Sequence, residues 1–161
     1  MAQPLDIRPL LDPEISALLA ASPVDIGAAL GSLTNESVVE IRTMFAATPP
    51  PPLSDSVERT DYPVPGRDGV TVRVHRPKNI TGARPCVYWM HGGGLVIGDN
   101  KMDDARFDNW CNTYGIVGVS VDYRLAPEHP YPTPLDDCYA GLAWVVSHAS
   151  ELGVDTSRLG I

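Results

Sequence analysis

The chain has 161 residues, 43% of them hydrophobic and 20% charged, which is enough to bury a core and excludes the disordered class. Twelve Lys and Arg residues stand against twenty Asp and Glu residues, so the net charge is −8. This acidity argues against nucleic-acid binding, which needs a basic face, and against docking on an anionic membrane, so we expect neither partner.

The N-terminal part has a helical pattern that ends at a run of prolines. Asp12-Pro13-Glu14 is typical of a helix start, and a second start lies at Asn35-Glu36 before apolar residues at helical spacing. Helices this short do not fold alone. Pro49–Pro52 can be neither helix nor central strand. We therefore expect residues 1–52 to form cap helices over an active-site mouth with a stiff joint, and residues 53–161 to form the main body.

Beyond the joint, the spacing of apolar residues becomes that of strands. Val57–Val64 and Thr71–Val74 alternate around Gly66–Gly69, which predicts an antiparallel hairpin. Cys86–Met90 and Ile116–Val121 are continuous apolar runs, typical of parallel strands covered on both faces. The sequence thus predicts a doubly wound, mostly parallel α/β sheet with an antiparallel hairpin at one edge.

Two helices and one more strand are predicted in this body. Asp103–Tyr114 has one apolar helical face and is followed by Gly115 at the C′ position, which predicts a right-handed crossover between the parallel strands. The next helix is expected to begin with Thr133 as its cap and to carry one apolar stripe from Leu135 to Ala149. Arg158–Ile161 reads as the start of another buried strand.

The sharpest chemical feature is His91-Gly92-Gly93-Gly94, which follows the apolar strand ending at Met90. Sites in α/β proteins lie at the carboxyl ends of parallel strands. Glycines can turn their N–H groups toward one point unshielded by side chains, and two such donors can stabilise an oxyanion. Composition alone supports a plain flexible turn about equally. A phosphate loop is not indicated, because neither GxGxxG nor GxxxxGK[ST] occurs.

Three motifs together resemble one enzyme family. His91–Gly94, Asp122–Pro132 and Leu135–Asp137, in this order, are similar to the hormone-sensitive-lipase family of α/β hydrolases, the bacterial family IV esterases and lipases. The resemblance covers residues 57–161 and, more loosely, the N-terminal helices. It implies the α/β-hydrolase fold and hydrolysis of short to medium acyl esters through an acyl-enzyme. It also implies a Ser-Asp/Glu-His triad, no metal and no other cofactor.

The resemblance also assigns roles by position. It places two oxyanion donors on the backbone N–H groups of Gly93 and Gly94, and a third on the residue after the nucleophile. His91 and Gly92 are expected to orient the loop, and His91 is not expected to be the general base. Leu95 stands where the family usually has Phe or Trp and is expected to line the acyl pocket, so the preferred acyl length stays open.

The loop after the second parallel strand is interpreted as structural, and the catalytic nucleophile is not found. Arg124, Glu128 and Asp137 are expected to pair and lock this loop. No serine stands in a Gly-x-Ser-x-Gly context; Ser120 comes nearest, but its neighbours make it a buried strand serine. The sequence is therefore expected to be the N-terminal half of an esterase, to end just before its nucleophile elbow, and to be inactive alone.

The cysteines and the N-terminus indicate no further chemistry. Cys86, Cys111 and Cys138 are widely spaced and form no CxxC, so buried reduced thiols are expected rather than a metal site. The first residues lack the pattern of a signal peptide, and no apolar run approaches the ~18 residues of a membrane span. We expect a cytoplasmic protein whose partner is a small-molecule ester; a homodimer stays open.

Two other functions compete with the esterase. One is a non-catalytic small-ligand receptor on the same fold, like the plant gibberellin receptors; the intact His91–Gly94 motif favours the enzyme. The other is a complete small binding domain. That alternative would leave a half-formed sheet with an open hydrophobic edge, which is an aggregation hazard.

Overall fold

The computed structural model describes residues 10–21, 33–47 and 49–161, and the chain divides into two compact units, 1–37 and 38–161. The parts of the expected cap at residues 1–9, 22–32 and 48 lie outside the described residues. The domain division at residue 52 stays a prediction. No helix in the described ranges combines the length and apolar character needed to cross a bilayer.

Two helices occupy the described N-terminal part, α1 (Pro13–Ala21) and α2 (Asn35–Ala47). At the first, Asp12 Oδ1 accepts a hydrogen bond from the Glu14 N–H at 2.9 Å. At the second, Thr34 and Ser37 cap each other's backbone: each side-chain oxygen accepts from the other residue's N–H, at 3.2 and 2.8 Å. These bonds satisfy N–H groups that have no partner within a helix, so the predicted helix starts are confirmed.

The main body is built on a five-stranded sheet in the order β1-β2-β4-β3-β5. The strands are β1 (Val57–Pro63), β2 (Thr71–Pro77), β3 (Arg84–Met90), β4 (Val117–Asp122) and β5 (Val154–Gly160). β2 pairs antiparallel with β1 and β4, whereas β3 pairs parallel with β4 and β5. The predicted mixed sheet with an antiparallel hairpin at one edge is confirmed.

Helices α3 (Asp104–Tyr114), α4 (Thr133–Ser147) and α5 (Ala149–Leu152) connect the parallel strands. α3 lies between β3 and β4 in the chain and ends at Gly115, whose φ of +63° is left-handed and whose N–H donates to the Cys111 carbonyl. This is the predicted crossover helix with its predicted C-terminal glycine. Both parallel strands are confirmed to within two residues of their expected bounds.

The core lies mainly between the sheet and α4. Burial of the apolar side chains between these two layers is the main contribution to the stability of the folded chain. The Tyr88 hydroxyl donates to the Cys138 carbonyl at 2.8 Å, which satisfies the polar end of an otherwise apolar contact. All three cysteines are buried free thiols, as predicted. The core residues include Val72, Val74, Cys86, Tyr88, Val117, Val119, Val121, Cys138 and Val145.

The ends of α4 and the start of β5 differ from the prediction. Thr133 is not the cap: the Pro132 carbonyl accepts the first helical N–H, from Asp136 at 3.0 Å, and no side chain caps the helix. The helix stops at Ser147, and Gly153 ends the short α5 that follows. β5 starts at Val154, four residues before the expected start, and most of its side chains are exposed.

The expected apolar stripe of α4 is buried only in part: Cys138 and Val145 pack in the core as expected, and so does Ala149 just beyond the helix. Tyr139 is 73% exposed, and Leu135 and Val146 are also largely exposed. Gly141 packs toward the sheet instead, where an added Cβ would lie 2.5 Å from the Tyr88 hydroxyl oxygen. The helix therefore approaches the sheet closely at a small residue, while one side of the apolar stripe is exposed.

Candidate active site

The glycine motif forms a tight turn at the carboxyl end of β3. The Gly93 carbonyl accepts hydrogen bonds from the N–H groups of Val96 and Ile97, each at 3.1 Å. Gly93 has φ of +127° and Gly94 of +63°, both in the region that favours glycine. A Cβ at Gly93 would collide with the Ile97 carbonyl, whereas a Cβ at Gly94 would meet open space. The turn thus requires glycine at the first position on steric grounds.

The N–H groups of Gly93 and Gly94 carry no hydrogen bond from within the described residues. The surrounding loop is open, with Gly92, Gly94 and Leu95 exposed. Leu95 itself has φ of +64°, an unusual conformation for a residue with a side chain. Two adjacent N–H donors without a partner among the described residues, on a turn closed by hydrogen bonds, are able to bind a negatively charged oxygen.

His91 packs beneath the start of this turn. Its residue is 3% exposed, and its Nδ1 lies 2.9 Å from the Gly92 carbonyl oxygen. The ring stacks on Tyr123, with centroids 4.2 Å apart, and the Tyr123 hydroxyl donates to the His91 carbonyl at 2.7 Å. Gly98 passes so close that an added Cβ would lie 2.5 Å from Nδ1. The imidazole therefore fills the space under the loop.

The loop after β4 is locked by a buried carboxylate. Arg124 donates from Nε and a terminal nitrogen to the two oxygens of Asp137, both at 2.7 Å, and its backbone N–H adds a third bond at 3.2 Å. Burial alone would raise the pKa of Asp137, but the hydrogen bonds from Arg124 and the charge of Arg67 bring it below its usual value. The predicted pairing of Arg124 with Asp137 is confirmed.

Glu128 does not join that pair. Its carboxylate instead accepts two hydrogen bonds from the guanidinium of Arg42 on α2, at 2.8 and 3.0 Å. These bonds lower the pKa of Glu128. The expectation that Glu128 pairs with Arg124 or Asp137 is therefore wrong, because the carboxylate has a closer cation from a distant part of the chain.

Arg42 also reaches the glycine loop. Its Nε donates to the Val96 carbonyl at 2.8 Å, and a terminal nitrogen donates to the Ala126 carbonyl at 2.6 Å. The Ala126 N–H in turn donates to the Leu95 carbonyl at 2.9 Å, so the two loops are bonded to each other as well. Arg42 belongs to none of the predicted motifs. An arginine on an amphipathic helix gives no signal that its partners lie 54 and 84 residues away.

The chain is similar to known esterases. A family model described as alpha/beta hydrolase fold matches residues 87–161. Carboxylesterase NlhH of Mycobacterium tuberculosis is 38% identical over 164 residues, which cover 100% of this chain and 50% of that protein. Carboxylic ester hydrolase LipN of the same organism is 36% identical over 156 residues, covering 94% of this chain and 40% of that protein. The solved structure titled "Bacterial Heroin Esterase" superposes with a TM-score of 0.70 and 35% identity, covering 96% of this chain and 48% of that one.

Residues 87–161 thus match the α/β hydrolases, and the relatives reported above are esterases by name. The resemblance and the fold class inferred from the motifs are confirmed. The chain spans about half the length of the curated relatives it matches.

Several other polar groups of the described residues are buried in the body. Ser120 is fully buried in β4, and its hydroxyl has no partner among the described residues, as expected for a strand serine. Burial raises the pKa of the Asp122 carboxyl, and nearby Asp99 adds to the effect. Burial also raises the pKa of Tyr123 to about 12. No three His, Cys, Asp or Glu side chains in the described ranges could hold a metal ion together.

Proposed function

We propose that the protein containing this chain is a serine carboxylesterase whose oxyanion hole includes the N–H groups of Gly93 and Gly94. The observation that carries the proposal is the pair of adjacent N–H groups without a described partner, on a tight turn at the carboxyl end of β3. The similarity to carboxylesterases over the whole chain supports it.

In ester hydrolysis the turn would stabilise the oxyanion that forms on the carbonyl oxygen. A serine oxygen attacks the ester carbonyl carbon, the C=O π electrons move onto the carbonyl oxygen, and a general base takes the serine proton. The resulting oxyanion accepts hydrogen bonds from Gly93 and Gly94, and each such donor contributes about 2.7–4 kcal/mol in the transition state. Collapse of the intermediate breaks the ester C–O bond, and the leaving oxygen takes the proton from the base and departs as the alcohol. Water, deprotonated by the same base, then attacks the acyl-enzyme, and its collapse releases the acid and returns the proton to the serine oxygen. In this proposal His91 and Gly92 only orient the turn.

The nucleophile, acid and base come from sequence other than these 161 residues, which contain no Gly-x-Ser-x-Gly. The chain thus supplies the oxyanion half of the site. Leu95 lies next to the two donors and is 43% exposed, so it is placed to contact the acyl chain of a bound ester. We propose short to medium acyl esters as substrates; a cytoplasmic location and a homodimer stay predictions.

The test compares the chain with the longer enzyme on p-nitrophenyl acetate, butyrate and octanoate. We expect turnover by the longer enzyme and none by the 161-residue chain, and a fluorophosphonate serine probe should label only the former. Labelling of a serine within the 161 residues would contradict the assignment of the halves. Saturable ester binding by the longer protein without turnover or labelling would favour the receptor instead.

A further inference from the structure

We propose that Arg42 is a positioning residue that holds the Gly93–Gly94 turn in the geometry needed to bind an oxyanion. The inference rests on the proposed function, because it gives that turn a support on helix α2. Its basis is a set of four hydrogen bonds made by one guanidinium group, described above, which join α2 to both loops at the carboxyl edge of the sheet.

The path from Arg42 to the glycines is short. Arg42 Nε binds the Val96 carbonyl, and the N–H of Val96 itself donates to the Gly93 carbonyl. Val96 is therefore the one residue between Arg42 and the hydrogen bond that closes the turn at Gly93. Leu95, which lies between Gly94 and Val96, is held on its carbonyl by Ala126, and the Ala126 carbonyl binds Arg42 as well. Arg42 therefore holds Val96 directly and Leu95 through Ala126.

The arrangement depends on the shape of arginine. A guanidinium is planar and carries five N–H donors in a fixed fork, so it can bind two carbonyls and a carboxylate at once. A lysine ammonium presents its donors from a single point at the end of a flexible chain. It retains the charge beside Glu128 but cannot bridge the carbonyls of Val96 and Ala126 together.

The bonds to the two carbonyls, not the ion pair, should carry most of the effect. The side chain of Glu128 is 53% exposed, and ion pairs of this kind contribute little on their own. The side chain of Arg42 is less exposed, at 26%, and its bonds to Val96 and Ala126 are partly buried. Glu128 therefore mainly orients the guanidinium and balances its charge.

The first test is kinetic and uses the longer enzyme. Arg42→Ala is expected to lower kcat by about 10- to 100-fold, as a displacement of about 1 Å in a catalytic group does, with KM changing less than about threefold. Rates are expressed per site titrated with the fluorophosphonate, so that loss of folded protein does not count. Arg42→Lys should recover only a small part of the loss, and Glu128→Gln should cost less than Arg42→Ala.

The matched control is Glu40→Ala, an exposed position on the same helix. It should leave kcat and KM unchanged. A purely stabilising role for Arg42 would lower the melting temperature and leave kcat per titrated site at the wild-type level, which would overturn the proposal. Full recovery by Arg42→Lys would also overturn it, because it would show that charge alone suffices.

The second test is independent of activity and is also made on the longer enzyme. Amide hydrogen exchange of Val96 and Ile97, which report the turn, should accelerate in Arg42→Ala, while that of Val70 in the hairpin should not change. Unchanged exchange at Val96 and Ile97 would refute the positioning role. If the wild-type enzyme hydrolyses no ester, the proposed function fails on its own, and the exchange measurement still decides whether Arg42 holds the turn.

Discussion

Two loops leave the same edge of the sheet from neighbouring parallel strands, and they are built in opposite ways. The loop after β3, residues 91–98, leaves adjacent N–H groups without a described partner. The loop after β4, residues 123–132, is fixed by ionised side chains, through Asp137 on one side and Arg42 on the other. We call residues 91–98 the presenting loop, because its adjacent N–H groups have no partner among the described residues. We call residues 123–132 the supporting loop, because its polar groups bond to other parts of the chain.

The difference between the two loops explains how the N–H donors of the first can be held in fixed positions. Electrostatic stabilisation of a transition state requires donors that do not reorganise during the reaction. Glycines make up half of residues 91–98, and the buried side chains of this loop are those of His91 and Ile97. The bond from the Ala126 N–H to the Leu95 carbonyl transmits the rigidity of the second loop to the first. The presenting loop is therefore held in part by the supporting loop.

Removing the buried carboxylate of the supporting loop should have the largest effect. Asp137→Ala leaves Arg124 without its partner, and breaking a buried pair costs about 3–5 kcal/mol of the free energy of unfolding. Chemical denaturation of the chain, followed by tryptophan fluorescence, measures the change. A loss of less than 1 kcal/mol would show that this carboxylate does not support the loop.

The neighbouring Asp136 provides the control, because it is exposed on the same turn of α4. Asp136→Ala should change the free energy of unfolding by less than about 1 kcal/mol, the usual size of a helix-end charge effect. The pKa of Asp137 is lowered in the folded chain, so its stabilising contribution is complete above the ordinary carboxyl range and is lost as pH falls below it. Asp137→Ala should flatten that acid limb.

A side chain in the presenting loop should affect the reaction next most strongly. In the longer enzyme, Gly93→Ala should lower kcat by about 10²–10³, the usual loss for one oxyanion donor, because the added Cβ collides with the Ile97 carbonyl and must move the turn. Gly94→Ala meets open space and only the strain of a left-handed φ, about 1–2 kcal/mol, so the loss should be about tenfold. Equal losses at the two positions would contradict the turn geometry.

Local patterns predicted the elements around these loops because the relevant interactions are local. Continuous apolar runs identified β3 and β4, and Gly115 identified the end of α3, since each depends on residues a few positions apart. The glycines of the motif pointed to a backbone site for the same reason. Their roles as oxyanion donors stay predictions.

The errors come from contacts between distant residues. Glu128 was assigned to the nearest cations in sequence, whereas it binds Arg42, 86 residues away. The apolar stripe of α4 correctly includes the buried Cys138 and Val145, but it does not show that Gly141 is the residue that faces Tyr88. Neither fact is encoded in a local pattern, because each depends on which surfaces meet after the chain has folded.

The pH dependence of the free energy of unfolding should show an effect of a core residue, His75, that is distinct from the effects of the two loops. His75 is fully buried in β2, stacked on Phe107, and neither ring nitrogen has a hydrogen-bond partner among the described residues. Burial, with the charges of Arg59 and Arg73 adding to it, lowers the pKa of His75 to about 3. An unfolded histidine titrates near 6.5. Between these values the unfolded state binds a proton that the folded state does not.

The free energy of unfolding should therefore fall as pH decreases from about 6.5 toward 3, by up to about 1.4 kcal/mol per pH unit, and His75 should have no effect above that range. Denaturation midpoints of the chain between pH 4 and 7 measure the slope. His75→Phe, which keeps the stacking on Phe107 and cannot titrate, should reduce it. His129→Gln, at an exposed position of the supporting loop, should leave it unchanged. An equal reduction in both variants would place the acid sensitivity in the loop, whereas an effect of His75→Phe alone places it in the core beneath both loops.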